Sequence, residues 1–428
     1  MPRFDQMSRA ELTELYADLR KKYEEAAGLG LSLNMARGKP AADQLDLSDA
    51  LFCAVTSGAD CRADGMDLRN YGKLEGIEDG RAFFGEMLGA PADQVLVGGN
   101  SALNMIFDTL MRAMVFGLHA DTEPWMGQGK LKFLCPCPGY DRHFAIAEAL
   151  GMELIPVEMK TDGPDMDAVE ELVRDPAVKG IFCVPKYSNP TGITFSDAVV
   201  RRFAALCPAA KDFIIVWDNA YAVHDLYDEG DVLLNLLAEA DAQGRGDMVF
   251  TYTSTSKITF PGAGVAAMAA SVANIAYHKK IMGLQTIGPD KLNQLRHLRY
   301  LPDMKAVADH MRKHAELLRP KFEVVLNALD EEIAPAGIGT YTRPRGGYFI
   351  SLDVMDGCAS RVWKLLADIG VEMTPAGASF PCKKDPRDRN LRIAPTFPTL
   401  SELKCATDLL VLCTKLAACE KLLGITVD

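Results

Sequence analysis

Between residues 94 and 254 the chain repeats one pattern, a short continuously apolar segment followed by a helical stretch. The apolar segments are Gln94–Val97, Lys132–Cys135, Glu153–Val157, Gly180–Val184, Phe213–Trp217 and Met248–Phe250. Helical spacing marks Ala102–Met114, Phe144–Leu150, Met166–Val173 and Asp197–Leu206. Beyond the polar residue that opens some of these segments, each is apolar along its run and offers no face to water, so it must be covered on both sides. Strands of a parallel sheet sandwiched between helices are covered in that way. The pattern predicts an α/β fold whose central sheet is mostly parallel and flanked by helices.

On either side the grammar differs. Residues 8–27 read as an amphipathic helix, with Ser8 as N-cap and Glu11 completing a capping box. An extended segment from Leu31 to Pro40 follows, with the polar turn Ala36-Arg37-Gly38-Lys39-Pro40. Asn70–Gly76 is a loop feeding a helix over Ile77–Leu88. Long helical patterns run from about 273 to 328, then a strand-like Gly346–Asp353, a helix over Arg361–Ile369, a segment Asn390–Pro395 and a last helix near 400–422. That tail predicts a smaller α+β domain beside the first. The division expected is residues 1–50 packing with the small domain, 51–315 as the large domain and 316–428 as the small one.

The net charge of −12 argues against a nucleic-acid or anionic-membrane partner, while leaving room for a local basic pocket. Eleven cysteines without a Cys-x-x-Cys, and seven histidines away from them, predict no metal and a reducing compartment. The N-terminus lacks the apolar core of a signal peptide, and no run of about 20 apolar residues spans a membrane. A cytoplasmic protein is expected.

The polar residues at the strand ends carry the chemistry. Lys257 follows an apolar run and a crowd of hydroxyls, and Pro261, Gly262 and Gly264 break the chain after it. A lysine withdrawn from water there can serve as a nucleophile, although the window alone also suits a surface loop. Four further loops follow strands, and ligands of open α/β sheets bind beyond strand carboxyl ends. Gly98-Gly99-Asn100-Ser101 opens a helix, where free N–H groups and a hydroxyl favour a phosphate. Tyr140 lies in a tight turn and could stack on a flat ring. Asn189 precedes a proline and can donate at a fixed angle. Asp218 closes an apolar strand, where it needs a cationic partner, and Tyr221 is three residues on. Arg392 sits between apolar neighbours, and its fork suits a carboxylate. Taken singly, each loop equally suits an ordinary turn, cap or ion pair.

Taken in order, Asn189-Pro-Thr-Gly192, Asp218-Asn-Ala-Tyr221, Ser254-Thr-Ser-Lys257 and Leu391-Arg-Ile393 resemble the class I/II aminotransferases of fold type I, which use pyridoxal 5'-phosphate. The resemblance extends to Tyr71–Gly76 and Thr374–Phe380. The wording around Met35–Pro40 and Lys257–Gly264 is similar to the divergent bacterial aspartate aminotransferase subgroup called type Ic. The resemblance implies that Lys257 joins the cofactor's aldehyde and that Asp218 pairs with its ring nitrogen. It implies that Asn189 and Tyr221 bond the ring's phenolic oxygen and that Tyr140 stacks on the ring. Gly99, Asn100, Ser101, Ser254 and Ser256 would cradle the phosphate, with Tyr71 reaching in from the second subunit of a homodimer. Arg392, with Asn189 and Gly38, would hold the substrate's α-carboxylate. The family's usual phosphate-facing arginine, eight residues past the lysine, is Val265 here.

On this resemblance the reaction expected is a ping-pong exchange of an amino group between amino acids and 2-oxo acids, aspartate with 2-oxoglutarate first. Arg37 and Lys39, cations in the N-terminal turn, motivate the dicarboxylic choice, with Arg37 on the distal carboxylate. Two alternatives stand beside it. One keeps the cofactor but acts on aromatic or neutral amino acids, or as a β-lyase. The other is a ligand-sensing domain of a transcription regulator, which would need an added basic DNA-binding module.

Overall fold

The structure, a computed structural model, describes residues 3–425. The outermost two and three residues of the predicted division lie outside the described residues. Helix α1 (Arg9–Ala27) opens with the capping box expected of Ser8 and Glu11.

The apolar segments form one eight-stranded sheet. Its strands are β1 (Val95–Val97), β2 (Lys132–Cys137), β3 (Glu153–Lys160), β4 (Gly163–Pro164), β5 (Val178–Cys183), β6 (Ile214–Asp218), β7 (Val249–Ser254) and β8 (Ala266–Ala269). Their order is β1-β8-β7-β6-β5-β2-β3-β4. The inner pairs β7–β6, β6–β5, β5–β2 and β2–β3 are parallel. Strand β8 is antiparallel to both neighbours, and β4 to β3. Strands β5, β6 and β7 are buried at every residue, as continuous apolarity demands.

Two details depart from the sequence reading. Strand β3 is half-exposed along its length, because only a two-residue hairpin strand lies beyond it. Strand β8 carried no strand signal: its residues are Ala-Ala-Met-Ala, small enough for tight packing but poor in β-branched character.

A second sheet of three antiparallel strands is ordered β9 (Gly339–Tyr341), β10 (Ile350–Val354), β11 (Asn390–Ile393). Helices α2 (Ala102–Phe116) and α3 (Asp141–Ala149) belong to the large sheet. Helices α4 (Met304–Ala328), α5 (Ala359–Asp368) and α6 (Leu400–Leu423) come later in the chain. Helix α4 serves both bodies. Its Val307 and Met311 enter the core around the large sheet, while Leu318, Phe322 and Val325 enter the core around the small one. The N-terminal segment ties back to the small sheet's body, since Leu33–Asn34 pairs in parallel with Val371–Glu372. Among the described residues no helix is long and apolar enough to cross a membrane.

Candidate active site

Parallel strands end at a common edge, so the loops after β2, β5, β6 and β7 emerge together. They open onto a cavity of about 580 Å³, a size suited to a small organic ligand. Tyr140 enters it after β2, Asn189 after β5, and Asp218 and Tyr221 from the end of β6. Ser254, Ser256 and Lys257 enter from the end of β7, and Asn100 and Ser101 from the start of α2. The small sheet supplies Arg392 from β11, and the N-terminal turn supplies Arg37 and Gly38. Twelve of the residues singled out in the sequence thus share one cavity.

Gly99, Tyr71 and Lys39 do not line it. Gly99 lies just outside, its carbonyl accepting from the Ala266 N–H at 2.7 Å. Tyr71 is 74% exposed on its own chain. Lys39, read with Arg37 as a cation facing the ligand, instead packs its amine 3.9 Å from the centre of the Phe397 ring. That cation–π contact takes it away from the cavity lining.

The amine of Lys257 lies 5.0 Å from the centre of the Tyr221 ring and 5.8 Å from that of Tyr348. Burial lowers its pKa from the ordinary lysine value, and the carboxylate of Asp218 opposes that shift. Asp218 is itself buried. Its Oδ2 meets His143 Nε2 at 3.0 Å, while its Oδ1 has no hydrogen-bond partner among the described residues. Such an oxygen is costly to bury unless a donor or cation arrives to meet it. Burial also pushes the phenol of Tyr221 well above its usual pKa and that of Tyr140 up to about 12, so both remain hydrogen-bond donors.

Arg392 is held from several sides. Its Nη1 donates to Asp141 Oδ1 at 2.8 Å and to Asn189 Oδ1 at 3.3 Å. Its Nη2 donates to Thr374 Oγ1 at 3.2 Å, and that hydroxyl donates on to the Ala36 carbonyl at 2.6 Å. The guanidinium lies 5.1 Å from the centre of the Phe349 ring. Gly38 presses on that same ring: a Cβ built there would sit 2.4 Å from Phe349 Cζ. Only glycine lets the N-terminal turn approach so closely.

The helix start is a cluster of uncharged donors. Ser101 caps α2, Ser254 Oγ donates to Ser256 Oγ at 3.0 Å, and Ser256 Oγ reaches the Asn100 carbonyl at 3.3 Å. Val265 contributes nothing there. It is a core residue whose N–H donates to Thr255 Oγ1 at 3.0 Å.

Sequence reading gave no role to His143, Asp141, Thr374 or Tyr348. His143 and Asp141 follow Tyr140 by one helical turn and by one residue, so spacing alone could have flagged them. The contacts of Thr374 and Tyr348 are made across long sequence separations and left no local signal.

The family model described as aspartate amino-transferase matches residues 7–426. The chain belongs to the aspartate aminotransferase family. An aspartate aminotransferase of Corynebacterium glutamicum is 46% identical over 405 residues, covering 95% of this chain and 94% of that protein. A putative aminotransferase of Mycolicibacterium smegmatis is 46% identical over 98% of this chain and 99% of its own length. The crystal structure of an aspartate transaminase from Corynebacterium glutamicum superposes with a TM-score of 0.95, at 45% identity, covering 98% of this chain and 99% of that one. The chain is therefore an aminotransferase of fold type I, and aminotransferases of this fold type use pyridoxal 5'-phosphate.

Proposed function

We propose that this aminotransferase binds pyridoxal 5'-phosphate in the cavity and moves an amino group between L-aspartate and 2-oxoglutarate by a ping-pong mechanism. The observation that carries the reading is the unpartnered Asp218 Oδ1, buried in the same cavity as a lysine of lowered pKa and an arginine. A protonated pyridine nitrogen is the cation that oxygen lacks. The uncharged groups of Asn100 and Ser101 at the start of α2, with Ser254 and Ser256 from the end of β7, fit a phosphate. Lys257 would carry the cofactor, Tyr140 would face its ring, and Asn189 and Tyr221 would hold its phenolic oxygen. Gly99 would add a backbone group beside the phosphate. Tyr71, exposed on its own chain, would complete the partner's site in a homodimer.

Bound there, the cofactor supplies an electron sink that no side chain offers. The protein does the rest. Arg392 fixes the substrate's α-carboxylate and thereby sets which Cα bond is presented for cleavage. Asn189 and Gly38 border that carboxylate subsite. Lys257, freed once the substrate's amine takes its place on the cofactor and with its proton affinity lowered by burial, would take the proton from Cα and return it on the other side of the exchange. Asp218, aimed by His143, would hold the proton on the cofactor's ring nitrogen. Arg37 takes the distal carboxylate of a dicarboxylic substrate. The same reading divides the chain at residues 50 and 315, the latter inside α4 where the helix passes from one core to the other. It also makes the enzyme cytoplasmic.

Absorbance of the purified protein tests the reading. Wild type should carry the cofactor's visible band, Lys257→Ala should lose the band of the lysine-bound form, and aspartate should bleach it in wild type. Bleaching by alanine or phenylalanine but not by aspartate would move the substrate to the neutral or aromatic class. A wild-type protein that takes up no cofactor would end the proposal.

A further inference from the structure

Three buried imidazoles converge on two consecutive carbonyls of the lysine turn. His224 Nε2 lies 3.3 Å from the Lys257 carbonyl oxygen. His310 Nε2 and His314 Nε2 lie 2.7 and 3.1 Å from the Ile258 carbonyl oxygen. A carbonyl oxygen only accepts, so His224 Nε2 carries its hydrogen. The two nitrogens facing Ile258 also lie 3.1 Å from each other, and the Tyr300 hydroxyl, which donates to the Leu47 carbonyl at 2.6 Å, accepts from His310 Nδ1.

Gln44 fixes the tautomer of one ring independently. The Ala41 N–H donates to Gln44 Oε1 at 3.2 Å, which sets the orientation of the amide. Gln44 Nε2 then donates to His314 Nδ1 at 3.1 Å and to the Tyr348 hydroxyl at 3.0 Å. His314 Nδ1 is therefore an acceptor, and its hydrogen is on Nε2, towards Ile258. Burial lowers the pKa of all three rings, so they are neutral. The charges facing them are cationic and act in the same sense: Lys257 and Lys186 at His224, and Lys313 at His310.

The His314 N–H meets the Ile258 carbonyl and the His224 N–H that of Lys257, with His310 packed against the Ile258 carbonyl, and no charge is placed beside the amine. Gln44 does double work. Through His314 it reaches the carbonyl of Ile258, the residue after the lysine, and through Tyr348 it steadies one of the two rings beside the lysine's amine. Gln44 is wholly buried and sits in the short helix Ala42–Asp46, directly after the turn that carries Arg37 and Gly38.

We propose that Gln44, His224, His310 and His314 are positioning residues for Lys257, and that Gln44 couples the seating of the N-terminal turn to the placement of the lysine. This rests on the reading that Lys257 carries the cofactor.

The test uses His314→Leu and Gln44→Met, with Lys257→Ala in parallel. Three quantities are read: the pH midpoint of the cofactor's absorbance in the holoenzyme, kcat and KM, and hydrogen exchange of amides 256–260 in the cofactor-free protein. Both variants should shift the midpoint by about one pH unit and lower kcat roughly tenfold, with KM changed less than twofold. Exchange at 256–260 should quicken about tenfold. His314→Gln, whose amide can still donate to Ile258, should recover much of kcat. An unchanged midpoint and kcat in Gln44→Met, even with a lower melting temperature, would overturn the proposal, and that variant carries the test should His314→Leu not fold. A lysine-bound band that persists in Lys257→Ala would instead fault the cofactor reading.

Discussion

Arg392 and Asp141 form an ion pair across 2.8 Å inside the cavity, with the arginine buried and the aspartate partly exposed. The cation assigned to a substrate carboxylate is thus already neutralised by one of the protein's own. An incoming carboxylate has to displace or share that acid. A partly exposed pair is worth on the order of 1 kcal/mol, and 1.4 kcal/mol is a factor of ten in affinity. Asp141→Asn should therefore lower KM roughly threefold to tenfold for amino acid and oxo acid alike, with kcat little changed. Steady-state kinetics with both substrates checks this, and a raised KM would mean that Asp141 aims Arg392 rather than competing for it.

Among the described residues, His143 is the one hydrogen-bond partner of the Asp218 side chain, bound at 3.0 Å through Oδ2. Removing it leaves both oxygens of a buried carboxylate unpaired. The loss of a hydrogen bond to a charged group is about 1.5–3 kcal/mol. His143→Leu should weaken cofactor binding by roughly ten- to hundredfold, and dialysis followed by fluorescence titration with the cofactor measures it. An unchanged affinity would show that Asp218 needs no aiming.

Most of this architecture was legible in the chain. Strands β5, β6 and β7 announced themselves because burial on both faces demands apolar residues throughout. The cavity was legible because parallel strands must bring their carboxyl-end loops to one edge. What stayed hidden depends on contacts between distant residues. Strand β8 owes its place to pairing with β7 and β1, not to its own alanines. Lys39 and Arg37 are indistinguishable in sequence, yet only a neighbouring aromatic, Phe397, decides which leaves the cavity.

Val265 stands where the family usually has a phosphate-facing arginine, and here it is core. Its amide and carbonyl both bond Thr255, at 3.0 and 2.8 Å, so its backbone is fixed. Restoring the arginine would drive an unpaired charge into apolar packing, at a cost of several kcal/mol. Val265→Arg should lower the melting temperature markedly without tightening cofactor binding. Calorimetry and cofactor titration together decide it, and a stable variant with higher affinity would mean that this side chain can turn to the phosphate.

Acid should weaken the fold through its buried histidines. Burial, then the nearby Arg112, lowers the pKa of His278 to about 3, and burial, then His310, lowers that of His314 to about 4. An unfolded histidine titrates near 6.5. Below that pH the unfolded chain takes up protons that the folded chain refuses, so stability falls as pH drops. The loss begins near 6.5 and runs down to the folded values of about 4 and 3. For a ring at about 4 the full difference is on the order of 3 kcal/mol. His278 is the cleaner probe because it lines no part of the cavity. Between pH 7 and 4.5, urea unfolding of His278→Phe should lose about 2 kcal/mol less stability than wild type. An equal loss in both would mean that the ring is reached by water and takes its proton in the folded state.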